Sequence, residues 1–278
     1  MRIWDGGERR AAATTAGDSQ MIASDLTWRA EETCLNAWPA LRQVLLNGWV
    51  LRFSEGLTRR ANSANPLKGA RATGDSLIAA CEALYQRRQL PAIFRLPSII
   101  DPDLDERLDE AGYGREGESC VRHGALNGVE MASDPDVQLL PRPSREWFAA
   151  MAALQNHTGE QRRTYRRIVG AIAIPVAFAA LAIDREFVAL AYGAIHDRLL
   201  CYESVITNPR RQRRGYARRV VTSLAAWAKD QGAEGACLEV EAHNTAALAL
   251  YDTVGLKTEL YRYHYRREPK RSLPVTKM

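Results

Sequence analysis

Thr207-Asn208-Pro209-Arg210-Arg211-Gln212-Arg213-Arg214-Gly215-Tyr216-Ala217 is a basic turn between two periodic stretches. Before it, 199–207 is rich in apolar and β-favouring residues and predicts a strand; after it, 215–231 predicts a helix. A glycine in such a turn lets a phosphate approach the backbone closely. The helix that starts there points unpaired N–H groups and the positive end of its dipole at that phosphate. Flanking arginines add charge-assisted bonds. Taken alone, the stretch is equally a basic turn capping a helix. It contains neither GxxxxGK(S/T) nor GxGxxG, so it is not a P-loop.

Downstream, Leu238-Glu239-Val240-Glu241-Ala242-His243-Asn244 leads into Ala247 to Tyr251 and then Gly255. On a strand over 236–241, Leu238 and Val240 face one side while Glu239 and Glu241 face the other. Asn244 suits the N-cap of a helix over 245–254. Ala247 and Tyr251 are four apart on that helix and share a face, where a small residue leaves room for a ligand. A closing strand follows at 257–266. Upstream, helices are expected at 145–155 and 159–168, then strands at 176–183 and 187–194, with a turn at Asp197-Arg198. Strands alternating with helices after an antiparallel start imply a mixed α/β sheet.

Farther out, the first half carries a weaker version of the same order. A helix over 26–40 ends at Pro39. The Asn47-Gly48 pair inside 43–53 signals a hairpin. Then come a helix over 74–90, a strand over 92–96 and a helix over 103–111. Sliding the chain against itself by 143 residues brings Asn65-Pro66 onto Asn208-Pro209 and Ala111-Gly112-Tyr113 onto Val254-Gly255-Leu256 without an insertion. The chain reads as two copies of one fold, with a linker in 128–144 where Pro135, Pro141 and Pro143 cluster.

The two C-terminal signals, in this order and spacing, resemble the GNAT superfamily of N-acetyltransferases. That family has a Q/R-x-x-G-x-G/A pyrophosphate loop, matched by Gln212-Arg213-Arg214-Gly215-Tyr216-Ala217. The run through Leu238-Glu239-Val240, Asn244, Ala246-Ala247 and Ala249-Leu250-Tyr251 is especially similar to ribosomal-protein N-terminal acetyltransferases. The resemblance covers about 145–266 and implies an acyl-CoA N-acyltransferase fold: a mixed, mostly antiparallel sheet flanked by helices, here twice in tandem. It implies acetyl-CoA as co-substrate, no metal, and direct acetyl transfer to a primary amine within a ternary complex. The pantetheine arm would lie along Val205-Ile206-Thr207 and the pyrophosphate on Gln212 to Ala217, with Asn244 and Ala247 also touching the cofactor. Tyr251 would protonate the leaving thiolate. Glu239 or Glu203 would accept the ammonium proton, directly or through water, since amines are mostly protonated at pH 7.

At the 143-residue offset Gly215 falls on Ala72, Asn244 on Asp101, Tyr251 on Leu108 and Glu239 on Leu96. The N-terminal copy has therefore lost the family's loop glycine, Asn and acid. The expected organisation is a mobile tail over 1–25, a degenerate copy over 26–135, a catalytic copy over 136–267 and a short tail over 268–278. A patch of Trp49, Arg52, Phe53 and Arg59-Arg60-Ala61-Asn62-Ser63 reads either as loop-stabilising donors or as one wall of an acceptor pocket. The alternatives to an N-acetyltransferase are a non-catalytic CoA-binding or partner-binding module and an acyltransferase of thiol biosynthesis.

Composition agrees with a protein that handles a small anionic cofactor. The net charge is +5, and of 38 basic residues five are lysines and 33 arginines, without the interleaved aromatics of a nucleic-acid surface. Five scattered cysteines (34, 81, 120, 201, 237) include no CxxC, which argues for core residues in a reducing compartment and against a metal. The longest apolar stretch, 168–183, is interrupted by Pro175 and is shorter than the roughly 20 residues of a membrane span. A cytoplasmic protein is expected, with a small amine or a protein N-terminus as acceptor and with neither nucleic acid nor membrane as partner.

Overall fold

The computed structural model of the chain describes residues 16–70, 74–127 and 133–270. Its elements are α1 (Ala16–Ala37), β1 (Arg42–Leu46), β2 (Trp49–Phe53), β3 (Ala64–Pro66), α2 (Gly74–Gln86), β4 (Ile93–Pro97) and α3 (Asp103–Glu110). Then follow β5 (Gly114–Ala125), β6 (Val137–Leu140), α4 (Arg145–Leu154), α5 (Gly159–Gly170), β7 (Val176–Ile183), β8 (Glu186–His196) and β9 (Leu199–Thr207). The last are α6 (Tyr216–Asp230), β10 (Gly235–Glu241), α7 (Thr245–Thr253) and β11 (Thr258–Arg267). All strands join one 11-stranded sheet in the order β1-β2-β3-β4-β11-β5-β10-β9-β8-β7-β6. Only β3–β4 and β9–β10 pair parallel; the rest pair antiparallel. The fold is mixed α/β and mostly antiparallel, as the sequence predicts.

The seam between the halves is interleaved. The last strand of the second half, β11, lies between β4 and β5, and β5 in turn lies between β11 and β10. Each half thus completes its sheet with a strand of the other. Shifted by 143, the separation at which Arg60 meets Glu203, α2 falls on 217–229 within α6. By the same shift β4 falls on 236–240 within β10, and β5 on 257–268 over β11.

Several expectations shift in detail. The first helix begins at Ala16, ten residues before the predicted start, and residues 1–15 lie outside those described. The stretch read as a linker contains β6, whose Val137 to Leu140 pair with Phe178 to Leu181. Its flanking prolines punctuate an edge strand instead of marking unstructured chain. The strand β5 had no apolar alternation to announce it: Arg115, Glu116, Glu118, Arg122 and His123 crowd its 12 residues. It forms because both of its edges are paired. At Asn47 and Gly48 both φ angles are positive, 49° and 80°, as a tight two-residue hairpin turn requires.

Two layers flank the sheet beside the loop at Gln212 to Ala217. On one face Val220, Val221, Leu224, Ala225 and Ala228 of α6 recur at helical spacing and pack with Leu200, Tyr202, Leu238 and Val240. On the other face Ala30, Cys34 and Ala37 of α1 pack with Cys201, Cys237 and the tyrosines of β11. Each fully buried valine or leucine stabilises such a layer by about 1.5–3 kcal/mol.

Candidate active site

The strands β9 and β10 pair only from Leu199 to Cys201 against Gly235 to Cys237. Beyond that they part. Ser204 and Val205 together oppose the single residue Ala191 on β8, and Ser204 takes a φ of 52°. This β-bulge bends β9 away from β10. A cleft of about 570 Å³ opens where they separate, between the end of β9, the start of α6 and the flank of α7.

Most residues expected to hold the cofactor line this cleft: Val205, Thr207, Gln212, Arg213, Gly215, Tyr216, Ala217, Ala247 and Tyr251. Three do not. Ile206 packs on the opposite face with the Trp147 cluster, Arg214 is not part of the wall, and Asn244 spends its Oδ1 as the α7 N-cap, accepting from the Ala247 N–H at 3.1 Å. Gly215 is the N-cap residue of α6 at φ 77°, with no side chain capping the helix. A Cβ built at Gly215 meets nothing within 4 Å. The glycine therefore answers to its left-handed backbone and leaves clear space in front of the first-turn N–H groups. Arg218, which the loop motif does not include, also faces the cleft from the first turn of α6. Its signal in the sequence was only its position, three residues past the glycine.

Tyr251 is 7% exposed, and no protein group shifts its hydroxyl by a hydrogen bond. Burial, with smaller repulsions from Glu203 and Cys201, raises its pKa, so it stays protonated at neutral pH. Glu203 and Glu239 lie on the sheet face opposite α6, two residues beyond Cys201 and Cys237. Arg60, from the first half, binds Glu203 through both guanidinium nitrogens at 2.8 Å and also bonds Glu239. Arg95 bonds Glu239 at 2.6 Å and reaches Glu31 on α1, which also accepts from the Tyr261 hydroxyl. The two glutamates differ. Burial raises Glu203, with Glu239 adding to it and Arg60 only partly offsetting it. Burial also pushes Glu239 upward, but Arg60 and Arg95 outweigh it and hold its carboxyl below the usual range.

The patch at 49–63 holds its own loop together, the first of its two expected uses. Arg52 donates to the carbonyls of Leu35, Trp38 and Arg60, and Asn62 accepts from the Ser54 and Gly56 N–H groups, which fixes the loop. That loop then delivers Arg60 to both glutamates. Elsewhere, Gly112 to Gly117 spells GxGxxG but opens the strand β5 in place of a helix, so it presents no dipole to a dinucleotide. All five cysteines are buried and free, as expected of core residues. Cys34, Cys201 and Cys237 bring their sulfurs within 4.8 Å of one another, because α1, β9 and β10 converge where no sequence spacing shows it.

A family model described as the C-terminal region of the probable histone acetyltransferase Rv0428c matches residues 27–266. The chain belongs to this family of GNAT-type acetyltransferases. An uncharacterized N-acetyltransferase YobR of Bacillus subtilis is 26% identical over 243 residues, covering 86% of this chain and 97% of the relative. Among solved structures, a GCN5-related N-acetyltransferase from Kribbella flavida aligns with a TM-score of 0.63 at 15% identity, over 89% of this chain and 96% of the other. A tandem GNAT protein from the clavulanic acid biosynthesis pathway aligns at 0.62 and 11% identity, over 92% and 96%. At those identities the structural matches speak for the fold. Among the described residues no helix is long and apolar enough to cross a membrane.

Proposed function

We propose that this acetyltransferase moves acetyl from acetyl-CoA directly to a primary amine in a ternary complex. We also propose that its second half, from about residue 136, is the catalytic copy of a tandem pair. One observation carries the reading: the splay of β9 from β10 opens a cleft that joins an uncapped helix N-terminus at Gly215 to the buried hydroxyl of Tyr251. The pyrophosphate sits on the first turn of α6 with Arg213 and Arg218 beside it, and the pantetheine follows the free edge of β9 at Val205 to Thr207. Tyr251 gives its proton to the departing thiolate. Asn244, its oxygen committed to the cap, has its amide nitrogen to offer the cofactor.

Glu203 is the better proton acceptor of the two glutamates. A raised carboxyl takes a proton from an ammonium more readily than one held down by two guanidiniums. The bidentate Arg60 uses one lone-pair site on each Glu203 oxygen and leaves others for the amine or a water. Glu239 is the anchor of the charge network. The amine enters from the α1 side, opposite the cofactor. The family's description names a histone acetyltransferase, which suits an amine on a protein as acceptor; a small amine fits the same chemistry.

Calorimetric titration with acetyl-CoA tests the reading. One saturable site per chain is expected, abolished in Gly215→Glu, whose carboxylate would occupy and repel the pyrophosphate position. No binding by the natural chain would reduce the loop to a basic helix cap, and the enzymatic reading would go with it.

A further inference from the structure

We propose that the outer edge of β1, with the basic groove beside it, docks an extended acidic segment of a partner protein, which joins the sheet as an added strand. β1 ends the 11-stranded sheet, and only its inner edge is paired, with β2. The pairing alternates. The two-residue turn at Asn47-Gly48 makes Leu46 and Trp49 a hydrogen-bonded pair, and so, two residues at a time, are Val44 with Leu51 and Arg42 with Phe53. The Arg52 N–H, donated to the Ser63 carbonyl on the side away from β1, fits this alternation. Gln43 and Leu45 therefore turn their N–H and C=O groups outward. Such an edge is usually blunted by proline, lysine or a covering element. The opposite edge strand, β6, is blunted: Pro135 precedes it, Pro141 and Pro143 follow it, and Asp134 and Asp136 before it are tied to Arg219. β1 carries no such device. Its only charge is Arg42 at its first position, and it leaves Val44 38% and Leu45 69% exposed.

Side-chain chemistry on the α2 face selects the partner. Val44 borders a groove of about 550 Å³ with Phe53, Leu84, Arg42, Arg87 and Arg88. Phe53 and these three arginines also line an adjoining groove of about 580 Å³ that runs to Arg167 on α5. Glu55 and Glu160 are the carboxylates there, and Glu55 is held by Arg167 and the Thr164 hydroxyl. Arg42, Arg87 and Arg88 are exposed, and among the described residues they form no ion pair. A strand laid on β1 puts every second side chain on this face. Acidic ones meet the arginines, and an apolar one meets Val44 and Leu84. A second copy of this chain is a poor occupant. Antiparallel self-pairing of β1 keeps both α2 helices on one face of the joined sheet, so their arginines would gather at the junction. A nucleic acid fits less well than a peptide, because Val44 and Leu45 offer no aromatic platform for a base.

The test uses the full-length chain and a fluorescent peptide of about eight residues, an ordinary strand length, that alternates glutamate with valine. Its outcome does not depend on acetyl transfer. Fluorescence anisotropy should show saturable binding tighter than about 1 mM, weakening as salt rises, and a lysine–valine version should not bind. Arg87→Glu combined with Arg88→Glu should weaken binding about ten-fold or more. Leu45→Pro removes an outward N–H that the hairpin does not use, and should abolish binding. Melting curves check that both variants are folded. The proposal is overturned by no binding, by equal binding of the lysine version, or by binding that survives either folded variant. It is also overturned if sedimentation shows a dimer that Leu45→Pro dissolves, or if a single-stranded oligonucleotide binds more tightly than the peptide and is lost with the arginine pair.

Discussion

Each half of the chain has one parallel pair of strands that separates next to a helix, and the outcomes are opposite. In the second half β9 and β10 part beside α6, and the gap is the cleft proposed for the cofactor. In the first half β3 meets β4 only at Ala64 and Phe94, and the corresponding core is filled by Trp49, Phe94, Leu104 and Leu108, all fully buried. Where Tyr251 stands in one half, Leu108 stands in the other. Arg107 on α3 reaches to 3.9 Å from Asp75 at the start of α2, tying together two helices whose counterparts flank the open cleft. The difference teaches that the fold tolerates either a ligand space or a packed core at this junction. The filled half instead supplies cations, Arg60 and Arg95, to the carboxylates of the open one.

The largest effect is expected from Tyr251→Phe. If the open half alone performs chemistry, the transfer rate should fall by about 10²–10⁴, the usual worth of a general acid, while calorimetric affinity for acetyl-CoA stays within a few-fold. Equal loss of rate and affinity would make Tyr251 a packing residue like its counterpart. Glu239→Gln comes next. Removing one partner from a buried ion pair costs about 3–5 kcal/mol, and Glu239 joins Arg60 and Arg95 across the seam. Denaturant melts should show that loss as one cooperative transition; two transitions would mean that the halves do not depend on the network. The sign with pH follows from its depressed pKa: the stabilisation is present above the ordinary carboxylate range and is lost as pH falls through the folded value.

Leu108→Ala sharpens the contrast from the other side. It should cost about 2–5 kcal/mol, as large-to-small changes in a packed core do, and leave acetyl-CoA binding at the cleft unchanged. Arg60→Met probes the bridge between the halves. With its opposite charge gone, Glu203 should titrate higher, and the acid limb of the rate profile should move up by about one to three pH units. An unmoved limb would remove Glu203 as the proton acceptor.

Much of the open half was legible because its strands and helices carry clean apolar periodicity, and because a glycine, a helix start and a tyrosine at fixed spacing have a chemical reading. The filled half was legible only in outline. Its loop glycine is replaced and its tyrosine is a leucine, so the register of the repeat was the guide. What stayed hidden was long-range. The strand β5 is made by partners on both edges and not by its own charged residues. The Arg60 contact with Glu203 joins positions 143 apart. No local rule pairs them, although they are separated by the offset at which the two halves align. The cysteine triad is the same lesson: three elements far apart in sequence converge, and spacing alone does not show it.

The smallest effect is expected at an exposed tie between two helices of the first half. Arg107→Ala removes the tie between α3 and α2, but both partners are exposed, Arg107 at 43% and Asp75 at 93%. Exposed pairs contribute about 0–1 kcal/mol, so the melting transition should barely move. If that tie were what keeps the first half closed, its loss should create a second acetyl-CoA site in the calorimeter. One site per chain is expected still, because the closure is made by Trp49, Phe94, Leu104 and Leu108 packed beneath the helices. A second site would mean that the first half is a masked cofactor domain, held shut by one surface contact, and that its core is able to rearrange around a ligand.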